Sequence, residues 1–461
     1  MKIALCASEV VPFAKTGGLA DVAGALPQAL EKAGADVIII MPKYKGIEER
    51  FKLVKASDNV IYTLLGKKIK VYFIKNEAYF NRDALYGTKT GDYEDNLGRF
   101  SYFSRKALAL LKEIKFKADV IHVHDWQAGL IPVYLKTELA KDPFYKNMRA
   151  LLTIHNLGYQ GLFEKEEFPK LGLSWDLFAM EGLEFFGRVN ILKGGIIFSD
   201  IVNTVSPTYS KEIRTKRFGF GLEGVLEERK DSLFGILNGI DYSIWNPEQD
   251  EFITEAFSAN KPEGKLKNKE VLQKACSLRV NKDIPLIGMV SRLAEPKGFD
   301  IICEAIDEIC SMKAQVAILG TGDEKYHEIL ARVVKKYPKS ISLNLRFDDP
   351  LAHKIYAGSD IFLMPSNYEP CGLGQLIAFR YGSIPLVFKT GGLADTVKEE
   401  NGFVFEDYNK VALVKTVRSA LELFKDKKAW GLLVKKAMQL DFSWKKSAMK
   451  YLELYAKAKA K

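Results

Sequence analysis

The sequence predicts an α/β protein built from two Rossmann-like halves, each a mostly parallel sheet covered by helices. Three observations carry this expectation. Apolar, strand-like runs alternate with stretches of helical periodicity along most of the chain, the pattern of βαβ units. The alternation breaks at a turn-rich, charged stretch near 241–270 and then restarts. At 461 residues the chain also exceeds what one hydrophobic core usually serves.

The elements follow in order. "KIALCASEV" (2–10) reads as a first strand that runs into a Gly-Gly turn. Leu19, Val22, Ala23, Leu26 and Leu30 then recur at helical spacing, and "ADVIIIMP" (35–42) is a second buried strand. "KIKVYFIKN" (68–76), "ADVIHVHDW" (118–126), "ALLTIHNL" (150–157) and "DIVNTVSP" (200–207) continue the series. In the second half, "PLIGMVSRL" (285–293) is a strand, "GFDIICEAIDEICSM" (298–312) a helix and "QVAILGTGD" (315–323) a strand. "SDIFLMPS" (359–366) and "IPLVFK" (384–389) complete it. The expected divisions are 1–245, 246–440 and a final amphipathic helix, 441–461, with Trp444, Met449, Leu452 and Leu454 as its candidate buried side.

Composition excludes several function classes. Apolar residues at 47% and charged residues at 27% are an ordinary globular balance. No run approaches the roughly 18 apolar residues of a membrane span, and the opening "MKIALCASEVVPFAKT" reads as a strand, not a signal peptide. Five cysteines, an odd number without CxxC spacing, point to a reduced, cytoplasmic protein. The net charge of +10 raises a nucleic-acid binder as one class. The lysines are spread over amphipathic helices, however, with no recognition motif or aromatic–basic interleaving. A solvated basic surface with a mild pull on anionic substrates is the better reading.

One turn occurs twice: "KTGGLADV" (15–22) and "KTGGLADTV" (389–397). Each lies between a strand end and a helix start, where glycines let a ligand approach the backbone and free N–H groups face an anion. His122 and His124 alternate on a strand and so share a face, a spacing that can bind metal. No second His/Asp cluster completes a ligand set and no Asp-x-Asp occurs, so core histidines are favoured and no metal is expected.

"HVHDWQAGL" (122–130), "TIHNLGYQGLF" (153–163), "VNTVSPTYSKEI" (202–213) and "ILNGID" (236–241) resemble the bacterial glycogen synthase and plant starch synthase family. "VSRLAEPKGFD" (290–300), "PSNYEPCGLGQL" (365–376) and the second "KTGGLADTV" extend the resemblance through the second half. It implies a GT-B fold, two Rossmann-like domains with parallel sheets facing an interdomain cleft, and a last helix that crosses back to the first domain. It also implies retaining transfer of glucose from ADP-glucose, with UDP-glucose the alternative, to the non-reducing end of glycogen or another α-1,4-glucan. No cofactor, nucleic acid or membrane partner follows from it.

By the same resemblance, Arg292 and Lys297 grip the departing diphosphate, an Arg fork and a Lys point charge where negative charge grows. Lys15 reaches the diphosphate or glucose from the first domain, with Gly18 beside it and Asp21 either in contact or holding the helix start. Asp125, His155 and Asn238 contact the sugar from that side; Glu369 and the main chain around Cys371, Gly372 and Leu373 do so from the other. Tyr93 matches a family loop. Two positions depart: Ile377 stands where related transferases carry a second glutamate, and Gly374 where bacterial members have threonine. A non-catalytic glucan-binding relative is the competing class, against which Lys15, Arg292, Lys297 and Glu369 argue together. Cys371, in a glycine-rich turn, is singled out as the reactive thiol, with Cys6, Cys303 and Cys310 as buried packing residues.

Overall fold

The computed structural model describes residues 1–88 and 90–461. The chain divides into two compact units, 1–238 with 444–461, and 239–443. The sequence puts these limits at 245 and 440. The segment just after 238 goes with the second unit because its side chains are fastened there. Trp245 stacks on His353 with ring centroids 4.1 Å apart, and Asp250 Oδ2 accepts from the Tyr381 hydroxyl at 2.5 Å and lies 2.7 Å from His353 Nδ1.

The first unit holds a nine-stranded sheet. Its order is Leu233–Gly235, Ile201–Thr204, Arg149–Ile154, Val120–His124, Lys2–Cys6, Asp36–Pro42, Ile69–Ile74, Val60–Leu65 and Val54–Ser57. The central runs are almost wholly buried, as parallel strands covered on both faces must be. The last two strands pair antiparallel, an edge hairpin that the apolar pattern does not announce because Val54–Ser57 is largely exposed. The helix Gly18–Lys32 buries Leu19, Val22, Ala23, Leu26 and Leu30 as its spacing predicts.

The helix Trp444–Lys459 packs into this first unit, among Ile3, Val22, Leu26, Leu30 and Leu151. Its buried face is Trp444, Ala448, Tyr451, Leu454, Tyr455 and Ala458. Met449 is 51% exposed and Leu452 only partly buried. The 3.6-residue period puts 444, 448, 451, 455 and 458 on one stripe, and 449 lies off it. Tyrosines, not the expected Met449 and Leu452, therefore make the contact.

The second unit has six strands, all parallel, in the order Ile341–Asn344, Gln315–Leu319, Leu286–Val290, Ile361–Met364, Ile384–Phe388 and Phe403–Phe405. In each sheet the chain reverses its direction of winding beside the first strand. Lys2–Cys6 lies between Asp36–Pro42 and Val120–His124, and Leu286–Val290 between Gln315–Leu319 and Ile361–Met364. Such switch points open a crevice at the carboxyl ends of the strands, where ligands bind. Among the described residues no helix is long and apolar enough to cross a membrane.

Candidate functional site

The carboxyl edge of the first sheet collects most of the residues expected from the first half. Beyond Lys2–Cys6 the chain enters the Lys15–Gly18 turn, and this turn is tied to one buried carboxylate. Glu9, 4% exposed, accepts from the Thr16 hydroxyl at 2.6 Å, the Gly17 N–H at 3.2 Å, the Tyr86 hydroxyl at 2.6 Å and the Thr16 N–H. The turn is thereby set before any ligand arrives. Lys15 Nζ lies 2.7 Å from Asp21 Oδ1, and the lysine side chain stays half exposed. Asp21 thus holds the lysine that was expected to reach the ligand.

Asp125 follows the strand Val120–His124 and adopts φ +54°, a left-handed conformation unusual for a residue with a side chain. Its Oδ1 accepts the His155 N–H at 2.7 Å. Burial pushes the Asp125 carboxyl up to about 7, against the backbone N–H groups of His155 and Asn156, which lower it, and with the Glu9 charge adding to the rise. His155 sits just past the strand Arg149–Ile154, its Nε2 2.8 Å from His124 Nδ1. Burial holds His155 down at about 3, so its imidazole is neutral at pH 7. Asn238 is 5% exposed, and its Oδ1 has no hydrogen-bond partner among the described residues. An orphaned buried acceptor is what a polar ligand would satisfy. Tyr93 is held between the guanidiniums of Arg82 and Arg99, 4.6 and 5.0 Å from its ring, and its N–H reaches the Tyr86 carbonyl at 2.9 Å. It therefore belongs to the loop whose Tyr86 serves Glu9.

In the second unit, a cavity of about 190 Å³ opens at the switch point. Arg292, Lys297, Ser366, Glu369, Gly372 and Leu373 are among its lining residues. Lys297 Nζ lies 2.6 Å from Glu369 Oε2, which also accepts from the Ser366 hydroxyl at 3.0 Å. Arg292 is exposed at the rim. Gln375 fixes the loop between: its Nε2 donates to the carbonyls of Cys371 and Gly372, both at 3.0 Å, and lies 3.2 Å from Thr396 Oγ1. These bonds hold the carbonyls of the loop toward Gln375.

The two glycine turns use their glycines differently. Around Gly17 and Gly18 an added Cβ would meet nothing within 4 Å, and neither has a positive φ. The fold does not demand glycine there. In the second copy Gly391 has φ +43°, and a Cβ would strike the Glu369 carbonyl oxygen. A Cβ on Gly392 would strike the Cys371 carbonyl, and the Gly392 N–H donates to the Glu369 carbonyl at 3.2 Å. The first turn leaves open space, whereas the second buttresses the loop of Glu369. Lys389 correspondingly pairs with Glu406 at the surface, at 2.6 Å.

Residues 2–228 match the family described as "Starch synthase catalytic domain", and residues 273–436 match "Glycosyl transferases group 1". A glycogen synthase of Geotalea daltonii is 48% identical, the alignment covering 100% of this chain and 99% of the relative. The chain belongs to the glycogen and starch synthase family. Other members include glycogen synthases of Geotalea uraniireducens, 50% identical, and Thermotoga maritima, 44% identical, each aligned over 100% of this chain and 99% of its own. Among solved structures, the catalytic domain of starch synthase IV from Arabidopsis thaliana, bound to ADP and acarbose, superposes with a TM-score of 0.90 at 36% identity. That match covers 100% of this chain and 99% of the other. The fold is GT-B, with a parallel Rossmann-like sheet in each unit.

Two further features of the second unit bear on the expectations from sequence. A Cβ at Gly374 would lie 3.0 Å from Met364 Sδ and 3.1 Å from Phe362, so a threonine there would need those side chains to give way. Cys371, expected as the reactive thiol, is 5% exposed. Cys303, expected to be buried, is the one half-exposed cysteine, because the amphipathic helix Phe299–Ser311 turns it toward the edge of its buried face. Burial, with Asp300 and Glu304 nearby, pushes the Cys303 thiol up to about 11, so exposure there does not bring reactivity. Sequence reasoning missed Glu9, Gln375 and Ser366, which act on loop backbone and on Glu369. The only signal was position, a carboxylate between a strand end and a Gly-Gly turn, and a glutamine closing a glycine-rich loop.

Proposed function

We propose that this glycogen synthase relative transfers glucose, with retention, from ADP-glucose to the non-reducing end of an α-1,4-glucan such as glycogen. The observation that carries the reading is the cavity where Arg292, Lys297 and Glu369 meet at the switch point of the second sheet. ADP in the starch synthase IV structure, at 36% identity, favours the adenine nucleotide over UDP-glucose.

In this reading Arg292 and Lys297 take the growing negative charge of the diphosphate, and Lys15 adds a third cation. Such charge-directed donors act most strongly in the transition state. Glu369, held by Lys297 and Ser366, accepts glucose hydroxyls and stabilises positive charge on the ring. His155, Asp125 and Asn238 supply further polar contacts to the sugar, as do the main-chain N–H groups from Cys371 to Leu373. Tyr93 supports the loop that serves the Lys15 turn. We place the activity in the cytoplasm, where thiols stay reduced.

The test is incubation with glycogen and either ADP-glucose or UDP-glucose, measuring nucleoside diphosphate release. ADP release well above UDP release is expected. Release only from UDP-glucose would overturn the donor assignment, and release from neither, by folded protein, would overturn the function.

A further inference from the structure

We propose that His124 is a positioning residue that fixes the proton of His155 on Nδ1, so that His155 meets the sugar as a neutral N–H donor. The inference deepens the function above, since it rests on His155 contacting glucose.

Three imidazoles form a stack behind that contact. His122 and His124 are fully buried, with ring centroids 4.1 Å apart, and the His124 and His155 centroids are 5.1 Å apart. His122 engages both of its nitrogens, Nδ1 with the Tyr455 hydroxyl at 2.8 Å and Nε2 with Thr153 Oγ1 at 2.7 Å. His124 engages Nδ1 with His155 Nε2 at 2.8 Å, and its Nε2 is buried with no partner among the described residues. Burial, reinforced by the neighbouring imidazoles, lowers the pKa of His122 and His124, and burial lowers that of His155. Each ring therefore carries one proton.

A single proton lies between His124 Nδ1 and His155 Nε2, and two arrangements can supply it. If His155 donates, the His124 proton sits on Nε2, a buried N–H with no acceptor. If His124 donates, its Nε2 is a bare lone pair, and the His155 proton sits on Nδ1, the nitrogen left for a ligand. Buried orphan N–H groups are rarer in native proteins than under-satisfied acceptors. Both arrangements leave His124 Nε2 without a partner, and the second leaves the milder orphan, a bare lone pair and not an N–H, which favours it. The stack thus does two things. It excludes an imidazolium, whose charge would oppose a ring becoming positive, and it selects the tautomer that donates.

The test uses the full chain labelled with ¹⁵N-histidine. Its five histidines make the imidazole region small enough to assign by single substitutions. Expected are a pyrrole-type Nδ1 and a pyridine-type Nε2 for His155, with a pyrrole-type Nδ1 for His124. The reverse pattern overturns the proposal, and this readout on the wild-type protein needs no activity. In parallel, His124→Phe should lower kcat/KM for ADP-glucose by about 10- to 100-fold, and His124→Asn, whose amide can donate from near the Nδ1 position, should restore most of it. Equal loss in both folded variants would mean a packing role and overturn the proposal. Absence of turnover in the wild type would instead sink the proposed function and leave the tautomer measurement standing.

Discussion

The repeated glycine turn can be put to a paired test, Gly18→Ala against Gly392→Ala. Gly18 is the first residue of the helix Gly18–Lys32, and an added methyl would meet nothing within 4 Å. Alanine loses less backbone entropy on folding, so stability should rise by about 0.4–1 kcal/mol. For a unit of this size that is an increase in Tm of about 1–4 °C. The methyl nonetheless occupies space into which a ligand would come. Overfilling a packed contact costs about 1–3 kcal/mol, which predicts a loss of roughly 5- to 150-fold in kcat/KM for the sugar nucleotide. Gly392→Ala should behave oppositely. Its methyl would lie 2.6 Å from both the Cys371 carbonyl carbon and Cα, backbone atoms that cannot rotate away. A destabilisation of about 1–3 kcal/mol or more follows, a fall of roughly 2–12 °C. Calorimetry and initial rates of ADP release measure both. Gly18→Ala with unchanged kcat/KM, or Gly392→Ala with an unchanged melt, would refute the idea that one turn is open for ligand and the other packed.

Other expectations are more direct. Arg292→Ala and Lys297→Ala should each lower turnover by about 100- to 1,000-fold, the usual effect of removing one transition-state donor, and steady-state assays showing only a few-fold change in both would reject the diphosphate assignment. Glu369→Gln keeps an acceptor for Lys297, so calorimetric titration should find ADP binding largely intact while turnover falls; strong loss of ADP binding would argue for a structural role. Acid should weaken the first unit: the unfolded chain takes up protons below about 6.5 that His122 and His155, held near 3, refuse. Stability is therefore complete above that range and falls as pH drops through it, by about 1.4 kcal/mol per pH unit for one such histidine. Asp125, raised to about 7, works the other way, losing stability as pH rises from about 4 to 7, but it stands against three imidazoles. A urea midpoint that did not move between pH 7 and pH 5 would contradict this balance.

Most of the two sheets was legible because their central strands are buried on both faces and read as continuous apolar runs. Ile341–Asn344 and Phe403–Phe405 escaped notice because three or four residues at a sheet edge leave little pattern. The final helix was visible, but its buried stripe was not: tyrosines whose hydroxyls are satisfied by partners distant in sequence cannot be told from surface aromatics. Tyr455 pairs with His122, and Tyr451 accepts from Asn203 at 3.1 Å. Arg292, Lys297 and Glu369 could be named in advance as candidates because the motifs that carry them resemble those of the synthase family. Glu9 and Gln375 could not, since each acts by engaging the backbone of a loop whose shape exists only in three dimensions. The duplicated turn shows the same limit, identical letters serving opposite steric purposes.

The helix Trp444–Lys459 has a consequence for how the chain is made. It fills a cluster shared with Ile3, Val22, Leu26 and Leu151, yet a ribosome emits it only after all of residues 239–443. At typical synthesis rates that interval is about 10–40 s. Throughout it, the first unit must wait with the seat for Trp444, Tyr451 and Tyr455 uncovered, while the second unit, continuous in sequence, can already close its own core. The order of maturation should therefore invert the order of translation, and nascent chains stalled before Trp444 should recruit chaperones through the first half of the protein, not the second.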